Sequence, residues 1–556
     1  MLTVIGRDLI EAHHVLDHRI GTNGLPYAQH LPLGWVIIGE VCLGKVHRAE
    51  VVNVNKTNVL DSGRPTLFEL CDSDINVKCD SVFKKTSGDE KPGLSIEDQV
   101  FLDIMDVGFA KTDTGQWTAP LPFCENRRVL PNKKPFALSR AKSFDVSLRL
   151  NPVNRDHAVE FMENLFKNGR AELSPEISTS NERWYLPLFG VYHPMKPDKI
   201  RMVFDSFAKY QDVSLNDVLL KGPDLCNSLL GILLRFRREA VEVTMDVEQM
   251  FYNFKVPENQ RDFLRFLWHM DNNPEQHLVD YRMTIHVFGN SPSPAVATYG
   301  MRRSVEGADP AVKDLVNNNF YVDDGLLSCV DEDEAIRVTH KTKQALQDGG
   351  NLRLHKFTSN SRKVLDSFEP NDLAKDLKDL DLGIESLPIQ RSLGLLWDTE
   401  KDDFTFKVSS DAKPYTKRGV LSTINSLYDP LGFASPVVLR GKLFMKDMLS
   451  SAKNQDWDDP LPESLRREWE SWVKSLTHLE DFRVPRKYSQ VSFSKATGRD
   501  VHIFSDASKD ATGSVAYLKL YSEDSVDVSF LLAKSEVAPV SGHTIPRLEL
   551  LVQFCL

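Results

Sequence analysis

The segment Asn319–Val330, NFYVDDGLLSCV, constrains the fold of this chain more than any other. Apolar residues flank an acidic Asp–Asp–Gly turn on both sides, a pattern typical of a tight β-hairpin. Side chains alternate between the two faces of a strand, so Asp323 and Asp324 cannot both point the same way from one regular strand. A solvated surface turn has no need of such apolar flanks. The sequence therefore predicts a buried hairpin with two carboxylates at its tip.

A third carboxylate, Asp246, ends a strand with a buried pattern within AVEVTMDVEQMFYNFKV. An acid at the end of a core strand is costly unless it is paired or holds a cation. Three such carboxylates suit two Mg²⁺ ions about 4 Å apart, the arrangement that drives in-line phosphoryl transfer in polymerases and nucleases. We therefore expect Asp246, Asp323 and Asp324 to bind Mg²⁺, with Mn²⁺ as an alternative ion.

Charge is distributed unevenly along the chain. There are 68 Lys and Arg against 79 Asp and Glu, a net charge of −11, which does not favour nucleic-acid binding. The stretch Glu125–Leu150 nevertheless carries seven basic residues against two acidic ones. A solvated face is the ordinary interpretation of such a run, and a local nucleic-acid surface is the alternative.

Cysteine spacing and hydropathy indicate the kind of cellular compartment in which the chain is expected. Seven cysteines are spread from Cys42 to Cys555, with no CxxC pair and no Cys/His cluster at zinc spacing. This pattern argues against a disulfide scaffold and for a reducing compartment. No apolar run approaches the ~18 residues that a membrane helix needs, and the N-terminal residues do not form a signal peptide. We therefore expect no membrane partner.

Local patterns predict several elements around the hairpin. Ser95 and Asp98 form a capping box at the start of a helix over Ser95–Val107. An amphipathic helix is predicted over His157–Asn168, and alternation predicts a strand over Val241–Val247. The remaining predictions are helices over Thr416–Tyr428, Ala434–Leu449 and Ser464–Leu479 and a strand pair over Val501–Leu520.

The motif YVDD, with an Asp–x₄–Phe motif that begins 77 residues before Asp323, resembles the palm of a reverse transcriptase. Further motifs follow in the order of the BEL/Pao-type LTR retrotransposon polyprotein (Pol), and the resemblance covers residues 95–490. They are the fingers motif Lys199–Leu225, the template-gripping motif FGNSPSPAVATYGM (Phe288–Met301), the primer grip LGLLW (Leu393–Trp397) and SLYDPLGFASPVVLRGKLF (Ser426–Phe444).

This resemblance implies an α+β fold shaped as a right hand with fingers, palm and thumb. Residues 120–365 would form the fingers and palm, residues 366–490 the primer grip and the thumb or connection, and residues 49–119 a linker. Families of this kind carry a Pao peptidase label over the region after the palm, but that region shows no protease constellation.

Both ends of the chain resemble neighbouring parts of such a polyprotein. LTVIGRDLIEAH (Leu2–His13) resembles the end of a retropepsin-like aspartic protease, so residues 1–48 are expected to be its C-terminal remnant. Its catalytic Asp would precede Met1, and a DTG at Asp113–Gly115 is rejected because it follows this segment and lies in a polar turn. We therefore expect no protease activity.

Residues 491–556 resemble the beginning of an RNase H domain, with Asp506 and Glu549 at two of its metal-ligand positions. The remaining acids of that domain would lie beyond Leu556. We therefore expect an incomplete RNase H-like α/β segment, vestigial ligands, no RNase H activity, and a partly ordered tail with exposed apolar strand edges.

The resemblance also assigns roles to single residues. Asp246, Asp323 and Asp324 would bind metal and nucleotide, and Arg201 would contact the triphosphate. Tyr321 would contact substrate, Phe251 would exclude a ribose 2′-OH, and Lys356 would protonate the leaving pyrophosphate. From the residues alone, a core position competes for Phe251, a surface ion pair for Arg201, and a solvated side chain for Lys356.

Together these features imply an RNA-directed DNA polymerase that adds dNTPs to the 3′-OH of a DNA primer on an RNA template. The basic stretch Glu125–Leu150, with Arg235, Arg237 and Arg238, would follow the template backbone. The expected location is the cytoplasm or an intracellular virus-like particle. The alternative is a degenerate or domesticated copy that binds nucleic acid or a protein partner without catalysis.

Overall fold

The computed structural model describes residues 14–20, 27–32, 34–38, 93–176, 182–193, 196–377, 388–409, 413–453, 455–539 and 544–552. The chain divides into two compact units, Met1–Gly93 and Leu94–Leu556, with a mixed α/β architecture. Within the described ranges, no helix has both the length and the apolar character needed to cross a membrane.

The first unit contains an antiparallel sheet of three consecutive strands, β1 (Asp17–Arg19), β2 (Tyr27–Leu31) and β3 (Gly34–Ile38). His30 of β2 stacks on Trp35 of β3, with 4.9 Å between the ring centroids. The protease-like segment predicted at Leu2–His13 lies outside the described residues, as do residues 49–92 of the predicted linker.

The second unit begins with α1 (Ile96–Gly108), and its predicted capping box is confirmed. Ser95 Oγ accepts a hydrogen bond from the Asp98 N–H (3.1 Å), and the Asp98 carboxylate accepts one from the Ser95 N–H (3.2 Å). Phe101 and Met105 of this helix are fully buried, so residues predicted as part of a linker belong to the folded unit.

The elements that follow α1 form the first half of the unit. The helix predicted to begin at His157 begins earlier, at Pro152. Asn151 caps it, because the Asn151 side-chain oxygen accepts a hydrogen bond from the Asn154 N–H. The elements are β4 (Ala110–Lys111), β5 (Trp117–Thr118), α2 (Lys134–Leu150), α3 (Pro152–Lys167), β6 (Ala171–Leu173), β7 (Leu188–His193), β8 (Lys196–Phe204) and α4 (Leu229–Arg235). Strands β7 and β8 form a separate antiparallel hairpin.

The next elements build the centre of the unit. They are β9 (Val241–Val247), β10 (Phe254–Lys255), β11 (Arg265–His269), β12 (Leu278–Met283), α5 (Ser293–Ser304), α6 (Pro310–Asn318), β13 (Phe320–Tyr321), β14 (Asp324–Cys329), α7 (Glu332–Gly350), β15 (Leu354–Ser359) and α8 (Arg362–Asp366). Strands β13, β14, β9 and β15 form one antiparallel sheet in that order. The predicted strand Val241–Val247 and the predicted hairpin are confirmed, and they are neighbours in this sheet.

A second four-stranded sheet follows, with the order β16-β17-β18-β19. The elements of this region are β16 (Ile389–Ser392), β17 (Leu395–Asp398), β18 (Asp403–Thr405), α9 (Lys417–Asn425), α10 (Ser435–Ser451), α11 (Arg466–Ser475) and β19 (Arg483–Pro485). Trp469 and Trp472 of α11 are buried against Phe444 of α10. The three predicted helices are thus confirmed, with ends that differ by a few residues.

A buried ionic cluster joins this second sheet to β9. Arg486 is fully buried just after β19, and its Nη1 donates to Glu242 Oε1 at 2.7 Å. Its Nε and Nη2 donate to the two carboxylate oxygens of Asp402 at 2.7 and 2.8 Å. Three backbone carbonyls, those of Phe236, Glu239 and Ala240, accept its remaining hydrogen bonds.

The C-terminal residues form a third sheet, and the prediction of a partly ordered tail is wrong. Its elements are β20 (Gly498–Ala507), β21 (Ala511–Tyr521), β22 (Val526–Val537) and α12 (Ile545–Val552), with the strand order β20-β21-β22. The buried Arg237 donates to the carbonyls of Phe530 (3.0 Å) and Leu531 (3.2 Å), and the Ala533 N–H donates to the Leu431 carbonyl. Docking against Arg237 and against the loop between α9 and α10 orders a segment that could not bury a core alone.

The outer edge of this third sheet agrees with the prediction. Strand β20 pairs only with β21 among the described strands, and Val501, Ile503 and Phe504 are exposed along it. Exposed apolar side chains on an unpaired edge favour association with other chains.

Candidate active site

Strand register brings the predicted acids together at one end of the central sheet. Asp246 of β9 lies directly opposite Asp324 of β14 on one side and His355 of β15 on the other. Asp323 lies in the turn before β14, and its carbonyl accepts a hydrogen bond from the Val247 N–H (2.9 Å). Asp246 and Asp324, 78 positions apart in the sequence, therefore lie opposite each other in the sheet, and Asp323 lies in the adjoining turn.

The hairpin turn is tight because Val322 adopts a left-handed backbone conformation and Gly325 lacks a side chain. Val322 has φ of +57°, a conformation that a β-branched residue adopts only when the surrounding structure imposes it. Gly325 leaves room for the Phe320 ring, since a Cβ at this glycine would lie 2.5 Å from that ring. The Asp–Asp–Gly sequence thus fixes the direction of both carboxylates.

Two cationic or polar side chains contact Asp246. His355 Nε2 donates to Asp246 Oδ1 at 2.7 Å, and Lys356 Nζ donates to Asp246 Oδ2 at 2.9 Å. Burial raises the pKa of Asp246, but the hydrogen bonds from His355 and Lys356 outweigh it, so the pKa is lowered overall. Lys356 has φ of +56° at the irregularity between His355 and Thr358, which places both side chains beside Asp246.

Asp324 differs from Asp246 in its hydrogen bonding and in the direction of its pKa shift. No residue that the structure describes donates a hydrogen bond to its side chain. Burial, together with the charges of Asp323 and Asp246, raises the pKa of Asp324 to about 6. Burial also raises the pKa of Asp323. The site therefore holds negative charge that its own cations do not neutralise.

This donor set fits a hard divalent cation in its chemistry. Carboxylate oxygens are the ligands that Mg²⁺ prefers, and the uncompensated charge near Asp324 favours a cation. As the side chains lie in the described parts of the chain, no group of three or more His, Cys, Asp and Glu residues is arranged so that it could hold a metal ion. Oxygens from a bound substrate would have to complete the coordination.

The predicted substrate-contacting residues lie on three separate elements. Phe251 is half-buried in a 3₁₀ turn, Met250–Asn253, and packs edge-to-face against Phe288 with 5.6 Å between the ring centroids. Tyr321 is partly exposed on β13, and Arg201 is exposed on β8 opposite Val191. These positions are compatible with the predicted roles, which remain predictions.

The sequence did not predict the contact of His355 with Asp246 or the contact of Tyr428 with the predicted primer grip. His355 lies beside Lys356 in LRLHKF, and only the pairing of β15 with β9 reveals its contact with Asp246. Tyr428, in SLYDPLG, packs over Gly394 of the predicted primer grip, where a Cβ would lie 2.6 Å from its ring. Tyr428 lies within the motif Ser426–Phe444, but contacts between distant segments determine the surroundings of both residues.

The predicted basic surface needs correction. Lys133 and Arg237 are buried, and Arg127 and Lys134 form ion pairs with Glu182 (2.6 Å) and Asp280 (2.8 Å). Burial lowers the pKa of Lys133 to about 8 and that of Arg237 to about 10. These side chains stabilise the fold because neighbouring acids, rings and carbonyls surround them. The exposed members of the predicted set are Arg128, Arg140, Lys142, Arg149 and Arg238.

The two predicted RNase H ligands lie on adjacent elements of the third sheet. Asp506 is exposed on β20 opposite Gly513, and Glu549 is half-buried on α12. Helix α12 packs on this sheet, where Ser514 Oγ donates to the Val552 carbonyl (2.9 Å). The vestigial character of these two acids remains a prediction.

Comparison with known proteins supports part of this interpretation. Residues 416–556, about a quarter of the chain, match the family model of the Pao retrotransposon-like RNaseH-like domain. This match spans both the predicted thumb or connection and the predicted RNase H start, and its description names an RNase H-like domain, not a peptidase. No curated protein matches the sequence.

Two solved structures of foamy viral proteins resemble this chain. One is a protease-reverse transcriptase (dRH) in complex with double-stranded DNA, with 16% identity, a TM-score of 0.47, and coverage of 88% of this chain and 73% of that one. The other is a protease-reverse transcriptase in complex with an RNA/DNA hybrid, with 15% identity and a TM-score of 0.45. The match covers 88% of this chain and 56% of the second relative.

Proposed function

We propose that the second unit is an RNA-directed DNA polymerase of the BEL/Pao type, which transfers nucleotides to a primer 3′-OH. The placement of Asp246 opposite Asp324, with Asp323 in the adjoining turn, is the observation that carries this proposal. The order of the sequence motifs from Lys199 to Phe444 supports it. Primer extension on an RNA template by the purified full chain tests it.

In this proposal, Asp246, Asp323 and Asp324 hold divalent metal. A bound Mg²⁺ would supply positive charge to the triphosphate and to the attacking oxygen. The chain itself contributes position and charge. The backbone of the turn fixes Asp323, and the pairing of β9 with β14 fixes the other two carboxylates.

Lys356 would have two roles in this site, as the ion-pair partner of Asp246 before substrate binds and as a proton donor afterwards. In the structure its ammonium group neutralises Asp246, and it would have to leave that carboxylate when metal and substrate bind. Its protonated amine would then lie near the leaving phosphate, where it could donate the proton that pyrophosphate needs. Arg201, on the exposed face of β8, would contact the triphosphate.

The contact between Lys356 and Asp246 also favours a second candidate function. A lysine that permanently replaces the cation would leave a chain that binds nucleic acid without catalysis. The variant Lys356→Ala tests the role of Lys356 as a proton donor in the polymerase. If Lys356 has this role, primer extension by the variant should be slower than in wild type but should persist. No extension by wild type, together with intact binding of a primer–template duplex, supports the non-catalytic function.

Phe251 is expected to select deoxyribose. Phe251→Val should raise ribonucleotide incorporation relative to deoxyribonucleotide by about tenfold or more, because a smaller side chain relieves the clash with a 2′-OH. The measurement is the ratio of the two incorporation efficiencies. Phe207, which is exposed, provides the control, since Phe207→Ala should leave the ratio unchanged. An unchanged ratio in Phe251→Val would make Phe251 a core residue only.

We also expect that the chain does not cleave the RNA strand of an RNA/DNA hybrid. A two-metal nuclease site requires more acids than Asp506 and Glu549 supply. The measurement is incubation of a labelled hybrid with the full chain and Mg²⁺ or Mn²⁺. Cleavage that disappears in Asp506→Asn would show that the RNase H-like segment is active.

A further inference from the structure

A second polar pocket lies away from the three acids, between α3, β8 and the turn after β9. Its volume is about 460 Å³, within the range of small-molecule sites. It is lined by charged, amide and aromatic side chains, among them His157, Asn164, Arg170, Lys199, Gln249 and Tyr252. Lys199 begins the predicted fingers motif, but none of these residues has been assigned a contact with metal, primer or incoming nucleotide.

Arg170 is the unusual residue of this pocket. Its guanidinium is half-buried over the Tyr252 ring, with 4.9 Å from Cζ to the ring centroid. Among the residues that the structure describes, none forms a hydrogen bond or an ion pair with this guanidinium. Burial lowers the pKa of Arg170, and the nearby Tyr252 and Glu248 oppose this shift only in part, so the positive charge is incompletely compensated.

Neighbouring arginines of the same unit are paired. Arg282 Nε contacts Glu172 Oε1 at 2.7 Å, and Arg265 Nη2 contacts Asp262 Oδ1 at 2.8 Å. The carboxylate nearest in sequence to the pocket's turn, Glu248, accepts its hydrogen bond from Arg353 (2.9 Å). Each of these arginines therefore forms a direct ion pair, whereas Glu248 acts on Arg170 only through its charge and forms its own ion pair with Arg353.

The other residues that line the pocket indicate which chemical groups a ligand would need. Lys199 adds a second, exposed positive charge, and Glu160 is the single carboxylate in the described lining and is itself exposed. His157 Nδ1 is in contact with the Tyr192 hydroxyl (3.1 Å). A guanidinium fork binds phosphate through two hydrogen bonds, while an aromatic ring and amides suit a nucleobase.

We propose that the pocket around Arg170 and Lys199 binds a phosphate group of a nucleotide. The phosphate belongs either to an unpaired nucleotide of a nucleic-acid strand or to a free nucleotide. The proposal that the phosphate belongs to a nucleic-acid strand rests on the proposed function. The proposal that the pocket binds phosphate does not rest on it.

Binding assays on the full chain test this site without any need for catalysis. The probes are a labelled single-stranded RNA 12-mer, followed by fluorescence anisotropy over a salt series, and AMP and inorganic phosphate, followed by calorimetry. Arg170→Gln and Lys199→Gln are expected to weaken RNA binding about threefold to tenfold and to reduce the salt slope by about 0.7 each. Arg155→Gln is the matched control, because Arg155 lies on α3 outside this lining and pairs with Asp156.

The outcomes distinguish a nucleic-acid strand from a free nucleotide as the source of the phosphate. They also distinguish failure of the phosphate site from failure of the polymerase function. Loss of AMP binding with unchanged RNA binding supports the phosphate site and assigns it to a free nucleotide. Wild-type affinity of both variants for all three probes, or an equal loss in Arg155→Gln, overturns it. If Arg170→Gln does not fold, the exposed Lys199→Gln carries the test. No Mg²⁺ or dNTP is present, so failed primer extension would refute the polymerase function and leave this site standing.

Discussion

Replacement of Asp323 by Asn should reduce Mg²⁺-dependent primer extension by at least about 100-fold to 1000-fold while the chain stays folded. The change removes one negative charge and keeps the size of the side chain. Its effect on stability should be small, because burial and neighbouring acids already disfavour the ionised carboxylate. Steady-state extension rates on a primed RNA template provide the measurement.

Asp246→Asn should have a similar effect on extension for an additional reason. This change also replaces one of the two carboxylate oxygens that accept hydrogen bonds from His355 and Lys356 by an amide NH2, so one of these two side chains loses its acceptor. Asp348→Asn is the matched control, since Asp348 is exposed on α7 and contacts only Gln344 among the described residues. Extension near the wild-type rate by Asp323→Asn or Asp246→Asn would remove these acids from the site.

Arg486→Met is expected to cause the largest loss of stability in the chain, about 3–5 kcal/mol. Arg486 and Glu242 are both fully buried, so the change leaves a carboxylate without its cation. Burial raises the pKa of Glu242, and Arg486 opposes that rise. Without Arg486, Glu242 should take up a proton in the folded state at a pH where the unfolded chain releases it. The loss relative to wild type should therefore grow as the pH rises above the folded-state pKa of Glu242 in the wild type, which burial already places above the unfolded value of about 4.3.

Urea-induced unfolding followed at two pH values measures this effect. The double variant Arg486→Met/Glu242→Gln should recover part of the loss, because it removes the unpaired buried charge. Arg466→Met is the control, since Arg466 is an exposed arginine that contacts Glu463 and Glu470. Equal unfolding curves for Arg486→Met and wild type would show that the buried cluster does not support the fold.

Local patterns were enough to predict the elements that carry the site. The capping box at Ser95, the strand that ends at Val247 and the hairpin at Asp323 each depend on residues close in sequence. The convergence of Asp246 with the hairpin was also predictable, since an acid at the end of a core strand needs a partner nearby.

Contacts between distant segments could not be predicted in the same way. His355 approaches Asp246 through the register of β15, and Arg237 reaches Phe530 and Leu531 through docking of the third sheet. A basic residue in the sequence does not reveal whether it lies in solvent or in the core. The predicted basic surface therefore included Arg237, although its side chain is buried among carbonyls and rings.

Primer extension by the purified full chain tests the central proposal most directly. The assay uses an RNA template annealed to a DNA primer, dNTPs and Mg²⁺, with Asp323→Asn assayed beside the wild type. We expect the wild type to extend the primer according to the template, and we expect extension to stop with EDTA and in Asp323→Asn. A wild-type chain that binds the primer–template duplex but adds no nucleotide, with Mg²⁺ or with Mn²⁺, would contradict the polymerase function.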